Sequence, residues 1–454
     1  MEDSIWRIII LIIQGMLVFF IGAIPKQKGG LYNGLRAGIL AYYTIFPLLI
    51  NIIYVFSSES TRDQIYANRS SSVVLGADPI KMLIVLILVS LFTFLLAIAY
   101  SSKKSIRISI GAAHREYGKS LTLERGLKNN FISKLGIAGD VFLVVGGFCT
   151  LYYTLSFGSI SRALALAGWI RGFVSATNYI SYFASLMIIP GGFVVLAPFC
   201  YLLSSDYSKS IGRRIKFIIS FLLAFLFLFI RAGRAPLLIY ILAFCMPIAI
   251  RIFKHPWRLL CICAVIGMPI LEYMDYLFGS GDFVLEYNIS GTLAQFLYPY
   301  RTVLDCFDIV ESLGIRWGKD FVTTFIGLFP GVNYDTTWEV ISKYYGGSDW
   351  KTTGSTPSDL LTFCILEYHV LGLFLGAVLG RISKHVDQAC KAYLQNSMKL
   401  SNYGVLTVCS YITLIGFWFV STADFDSIVR YMYYMGMCVV VIITTKRRCF
   451  KNGE

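Results

Sequence analysis

The sequence predicts an all-α fold, a polytopic bundle of membrane-spanning helices. Three observations carry that reading. More than half of the 454 residues (56%) are hydrophobic. Apolar runs long enough to enter or cross hydrocarbon recur from one end of the chain to the other. Lys and Arg gather in alternate intervals between those runs. No interval is large enough to hold an independent soluble domain, so residues 1–454 read as a single membrane domain.

Taken in order, the apolar runs predict spans near 5–24, 37–56, 81–100, 137–157, 179–203, 216–231, 235–252, 259–278, 357–380, 404–422 and 429–445, about eleven helices. Met1-Glu-Asp-Ser-Ile-Trp6 has neither the basic start nor the small-residue cleavage site of a removed signal peptide, so the first run is expected to remain in the mature protein. The intervals 25–36, 101–136, 204–216, 251–258, 381–403 and 446–454 hold 26 of the 40 Lys and Arg, which makes them cytoplasmic, with the N-terminus outside and the C-terminus inside. Carboxylates lean to the opposite side. The net charge of +14 then reflects topology and anionic lipid, and nucleic acid is not expected as a partner.

The longest cytoplasmic interval, 101–136, is a basic loop suited to anionic headgroups. Its Ala113-His-Arg-Glu-Tyr-Gly-Lys-Ser120 satisfies a loose phosphate-loop pattern, but that motif needs a first glycine and a nucleotide-binding sheet, which about 35 residues cannot build. Of the eleven cysteines only Cys306 falls clearly in an external interval, so no extracytoplasmic disulfide pair is available. His114, His255 and His385 are scattered on the cytoplasmic side without zinc-ligand spacing; neither metal nor cofactor is expected.

Two arginines interrupt the apolar pattern. Phe217 to Ile230 runs directly into Arg231-Ala-Gly-Arg234-Ala-Pro236, and a second apolar stretch, Leu237 to Ile250, follows at once. Each arm has about 14 apolar residues, or roughly 21 Å of helix against a hydrocarbon core of roughly 30 Å, so the turn is expected beneath the outer surface. Gly233 permits the reversal, and Pro236 suits the first turn of the returning helix. Submerged arginines need a watery or protein-lined hollow, and two guanidiniums beside a helix N-terminus suit a phosphate. The plainer reading is that they snorkel to the interface and anchor the hairpin.

The interval 279–357 is a large extracytoplasmic loop that mixes aromatics with acceptors, Tyr298, Tyr300 and Trp338 among Asp305, Asp308, Asp320 and Glu339. Rings that cover sugar faces and carboxylates that take hydroxyls would make a carbohydrate surface; the alternative is an aromatic belt at headgroup level. Leu293 to Leu313 has helical periodicity with Arg301 among apolar neighbours, as in a helix lying on or re-entering the membrane.

An outer face has no ATP, so a transfer reaction there needs a substrate that already carries its leaving group, of which lipid-linked pyrophosphate is the simplest. Arg231, Arg234 and Arg301 would neutralise the departing pyrophosphate in place of a metal. A base for the attacking hydroxyl is sought in the ninth span, where Pro357-Ser-Asp359 is a helix-start signal and Glu367 and His369 lie two to three turns further on. A satisfied polar pair between helices is the competing account of both, and Glu272 and Asp275 are weaker alternatives.

Leu328-Phe-Pro-Gly331, Tyr345-Gly-Gly347, Gly354-Ser-Thr-Pro-Ser358, Glu367-Tyr368 and Gly372-Leu-Phe-Leu-Gly376 together resemble the end of the large external loop and the following helix in Wzy-type O-antigen and capsule repeat-unit polymerases. Arg231-Ala-Gly-Arg234 is similar to the arginine-containing turn of that family. The resemblance implies a GT-C-like, metal-independent glycosyltransferase of the bacterial inner membrane. Such an enzyme moves a growing glycan from undecaprenyl pyrophosphate onto the next lipid-linked repeat unit, to build lipopolysaccharide O-antigen or capsule, in company with a flippase and a chain-length regulator. It implies pyrophosphate binding by Arg231 and Arg234 and an acidic catalytic position at Glu367. The chain departs from the family pattern around that glutamate, with Leu366 before it and His369-Val-Leu-Gly372 after it, so His369 stands beside Glu367 as candidate base. A flippase or transporter of the same lipid-linked substrate, and an O-antigen ligase, are the alternatives.

Overall fold

The computed structural model describes residues 2–23, 34–56, 58–60, 62–63, 74, 76–102, 123–166, 181–204, 211–232, 234–252, 300–326, 337–346, 358–396 and 402–423. Every regular element among them is helical. In chain order they are α1 (Glu2–Ala23), α2 (Gly34–Leu40), a π turn (Ala41–Ile45), α3 (Phe46–Phe56), α4 (Pro79–Ser101), α5 (Leu123–Leu155), α6 (Ile160–Ala165), α7 (Tyr182–Leu186), α8 (Ile188–Gly191), a 3-10 turn (Gly192–Val195), α9 (Ala197–Leu203) and α10 (Ile211–Phe227). There follow a second π turn (Leu228–Ala232), α11 (Arg234–Ile252), α12 (Cys306–Leu313), α13 (Lys319–Ile326), α14 (Thr337–Gly346), α15 (Leu360–Tyr368), a 3-10 segment (His369–Phe374), α16 (Leu375–Asn396) and α17 (Asn402–Thr422). The expected spans 259–278 and 429–445, with Glu272 and Asp275, lie outside the described residues.

Among the described residues, four helical stretches are long and apolar enough to cross a membrane by length and composition: Pro79–Ser101, Leu135–Leu155, Leu360–Cys390, which is counted across a break at 369–374, and Tyr403–Thr422. The first shows why lipid is the natural surround. Val85, Val89, Phe92 and Leu96 of α4 face the core, while Ile80, Leu83, Ile84, Ile87, Leu91, Phe94 and Ile98 form an exposed apolar stripe at helical spacing. A stripe of that length facing water would be anomalous in a soluble monomer.

The chain divides into two compact units, Met1–Lys103 with Asp282–Ala389 and Gly416–Phe425, and Lys104–Gly281 with Cys390–Ile415 and Asp426–Glu454. In the first, α16 runs beside α4 in the same direction. A Cβ on Gly376 would lie 2.7 Å from the carbonyl oxygen of Phe92, and one on Gly380 would lie 2.2 Å from that of Leu96, so glycine is what lets the two backbones meet. Farther along, Tyr100 donates to Asp387 (2.9 Å), and at the other end of α4 Lys81 pairs with Asp308 (3.0 Å).

The expected ninth span, 357–380, is not one helix. α15 has nine residues, about 13 Å at 1.5 Å per residue, less than half of a hydrocarbon core. The chain breaks at His369, whose φ is +53°, and doubles back: a Cβ on Gly372 would lie 2.0 Å from the carbonyl oxygen of Cys364, eight residues earlier, where a straight helix would put it about 12 Å away. Leu360 to Glu367 are buried all round, so α15 is an internal helix. The helix-start signal is where it was read, since Asp359 caps Leu361 N (2.8 Å) and Thr362 N (3.2 Å). That N-terminus is nonetheless enclosed: Tyr43, set in the π turn of 41–45, donates to Asp359 (3.1 Å), as does Thr302 (2.6 Å).

In the second unit the expected span 179–203 is also interrupted, broken into α7, α8, a 3-10 turn and α9 around Pro190, Gly191, Gly192 and Pro198. The turn lies directly on α5, where a Cβ on Gly146 would come within 2.3 Å of Val194 N.

Gly372→Ala is expected to destabilise the protein by about 1–3 kcal/mol or more, because the added methyl meets a backbone carbonyl that cannot step aside. Thermal unfolding of the purified protein in detergent measures it, and a wild-type midpoint would refute the fold-back contact.

Candidate functional site

The helical hairpin read from the sequence is present in the second unit. Across α10 and α11, Phe217 packs on Phe244 (6.2 Å between ring centroids) and Phe221 on Tyr240 (5.3 Å), an antiparallel register centred on residues 230–231. The π turn of 228–232 precedes the tip and buries Ile230 with Tyr153, Phe157 and Ala163. Arg231 lies in that turn and Arg234 opens α11. Their side chains, and any hollow around them, lie outside the described residues. The helices outlast their apolar arms, contrary to the expectation of two short arms. Ile211–Ala232 is about 33 Å long and Arg234–Ile252 about 28 Å, so helix length does not by itself hold the tip below a membrane surface.

The first unit holds the acidic centre. Glu367, on the last turn of α15, is 0% exposed, and its Oε1 lies 3.5 Å from Arg316 Nε. The same guanidinium donates through Nε to Asp320 Oδ1 (2.8 Å) and through Nη2 to the same oxygen. Asp320, on α13, is 4% exposed. The approach to α15 is backbone work as much as charge: Arg316 N donates to Leu366 O (3.1 Å) and Trp317 N to Glu367 O (2.9 Å), satisfying two carbonyls that a helix end leaves open. Positive φ at Gly314, Trp317 and Gly318 bends the 314–318 segment over that end. A cation there also suits the negative pole of the helix. Burial pushes the Asp320 carboxyl above the usual carboxylate range, against the opposing pull of Arg316.

The hollow expected around Glu367 is therefore filled by Arg316 and Asp320, and in this state the carboxylate is closed to a substrate. His369, at the break after α15, is half-buried with its ring 5.5 Å from that of Phe307. Arg301 lies over the ring of Tyr345 (4.9 Å), whose hydroxyl donates to Asp305 Oδ2 (2.8 Å). The helix expected over Leu293–Leu313 is seen as a turn of helix at 300–304 followed by α12, with a break at Asp305.

Among the expected sugar-binding aromatics, Tyr300 is corrected by its burial. It is 0% exposed and donates to Tyr43 O (3.2 Å), so its ring serves the core and offers no face to a glycan. Tyr298 and the side chain of Trp338 lie outside the described residues. Arg316 was missed by sequence reasoning, and Asp320 was read only as one acceptor among many. Their i,i+4 spacing was the available local signal; nothing local ties either to Glu367, about fifty residues away. Comparison of the chain with protein families, with curated proteins and with solved structures finds no match.

Arg316→Ala leaves two carboxylates buried without their cation and is expected to cost about 3–5 kcal/mol. Arg316→Lys should recover only part of this, since an ammonium cannot reproduce the fork. Midpoints of thermal unfolding for the two variants and wild type decide it, and a wild-type midpoint for Arg316→Ala would show that the ion cluster does not hold the loop to α15.

Proposed function

We propose that the protein is a membrane glycosyltransferase that polymerises lipid-linked oligosaccharide repeat units at the outer face of a bacterial inner membrane, as its resemblance to Wzy-type polymerases implies. The observation that carries the reading is the α10–α11 hairpin, with Arg231 in the π turn that ends its first arm and Arg234 as the first residue of α11. Two guanidiniums and open N–H groups suit a diphosphate. The parallel run of α4 and α16 supports the reading in which both helices enter from the outer side.

In the reaction an acceptor hydroxyl oxygen attacks the anomeric carbon of the lipid-linked glycan. A new glycosidic C–O bond forms, the bond to pyrophosphate breaks, and its electron pair leaves with the pyrophosphate, where arginine stabilises the added charge. The hydroxyl proton passes to a base. His369 suits that role better than Glu367, because it is not enclosed. The partner proteins, a flippase and a chain-length regulator, rest on the family resemblance alone.

A second reading rests on the interrupted helices, α7 to α9 and α15 to α16, which are also a habit of transporters that bind substrate at broken helices. Vesicles containing the purified protein and two lipid-linked repeat units separate the two: longer glycan means polymerase, translocation without elongation means transporter. Under the polymerase reading, Arg231→Ala and Arg234→Ala each abolish long polysaccharide in cells while single-repeat material and protein level persist. Normal chain-length ladders in both variants would end the pyrophosphate assignment.

A further inference from the structure

Asp320 and Glu367 pose a problem that Arg316 alone does not solve. Two carboxylates face one guanidinium in a closed space, and a surplus buried charge is too costly to leave uncompensated. Asp320 Oδ2 and both Oε1 and Oε2 of Glu367 are buried and take no side-chain hydrogen bond; backbone N–H groups of Gly318 and Asp320 face Glu367, and that of Thr337 faces Asp320. Yet the two carboxyl groups converge on one atom, Arg316 Nε, which lies 2.8 Å from Asp320 Oδ1 and 3.5 Å from Glu367 Oε1. As two carboxylates they are acceptors only and cannot bond. With one proton between them they can.

We propose that Asp320 and Glu367 form a proton-binding site, a carboxyl–carboxylate pair that holds one proton beside Arg316. The proton turns one of two acceptor groups into a donor and leaves, among the described residues of the cluster, one guanidinium against one net carboxylate. It also joins α13 to the end of α15, so the proton is part of what holds the 314–326 segment in place. A metal ion suits the site less well than a proton, since a guanidinium already occupies one side of the pair. Among the described residues, the other titratable groups at the junction are Cys364 and Tyr368 on α15, His369 at its end and Lys319 at the head of α13. This inference stands apart from the transfer reaction, which assigns neither Arg316 nor Asp320 a part.

Infrared spectroscopy of the full-length protein in lipid nanodiscs at neutral pH tests it through the carbonyl stretch of protonated carboxyl groups. Asp320→Asn and Glu367→Gln each leave one carboxylate opposite Arg316, which then ionises, so each variant is expected to lose the same component of that band. The amides can donate where the proton did, so both variants should unfold close to the wild-type temperature, whereas Asp320→Ala should unfold earlier. A wild-type spectrum without the band, or a band unchanged in both amide variants, overturns the proposal. Should one amide variant fail to fold, the other carries the comparison alone.

Discussion

A helix that begins and ends inside a protein leaves four N–H groups at one end and four carbonyls at the other without partners, and water is not there to take them. Much of the first unit is arranged around meeting that demand for α15. At its start, Asp359 accepts from two backbone amides and is itself held by Tyr43 and Thr302. At its end, the backbone of Arg316 and Trp317 closes two carbonyls while the Arg316 side chain brings positive charge to the same pole. The π turn at 41–45, the helical turn at 300–304 and the 314–318 bend thus serve one short element. A segment that reads as external loop is built into the core.

The second unit solves a simpler problem by packing. Glycine brings α5 against the backbone of Val194, and a ladder of aromatic rings joins α10 to α11. The rings carry the hairpin up to its tip, and Ile230 fixes the tip by inserting among Tyr153, Phe157 and Ala163. Arg231 stands one residue and Arg234 four residues beyond this apolar anchor, so packing sets the position of the turn.

What the sequence made legible follows from how local each signal is. The hairpin could be read because apolar arms, arginines, glycine and proline stand in one continuous stretch. The start of α15 could be read because an N-cap is a matter of three or four residues. Its end could not: Tyr368-His-Val-Leu-Gly-Leu-Phe374 continues the apolar pattern, and what turns the chain there is the contact between Gly372 and Cys364. The Arg316–Asp320–Glu367 cluster was hidden for the same reason, its members being drawn from distant parts of the chain. Tyr300 shows the limit of composition, because an aromatic in an acidic loop reads alike whether its ring faces a sugar or lies beneath Tyr43.

The glycine contacts between α4 and α16 carry a mechanical consequence. Backbones that touch at Gly376 and Gly380 leave no side-chain cushion between them, so neither helix can roll about its own axis without driving main chain into main chain. The pair behaves as a single stiff beam. Between α15 and α16, rearrangement is thereby left to the short stretch from His369 to Phe374, where the helical path already gives way.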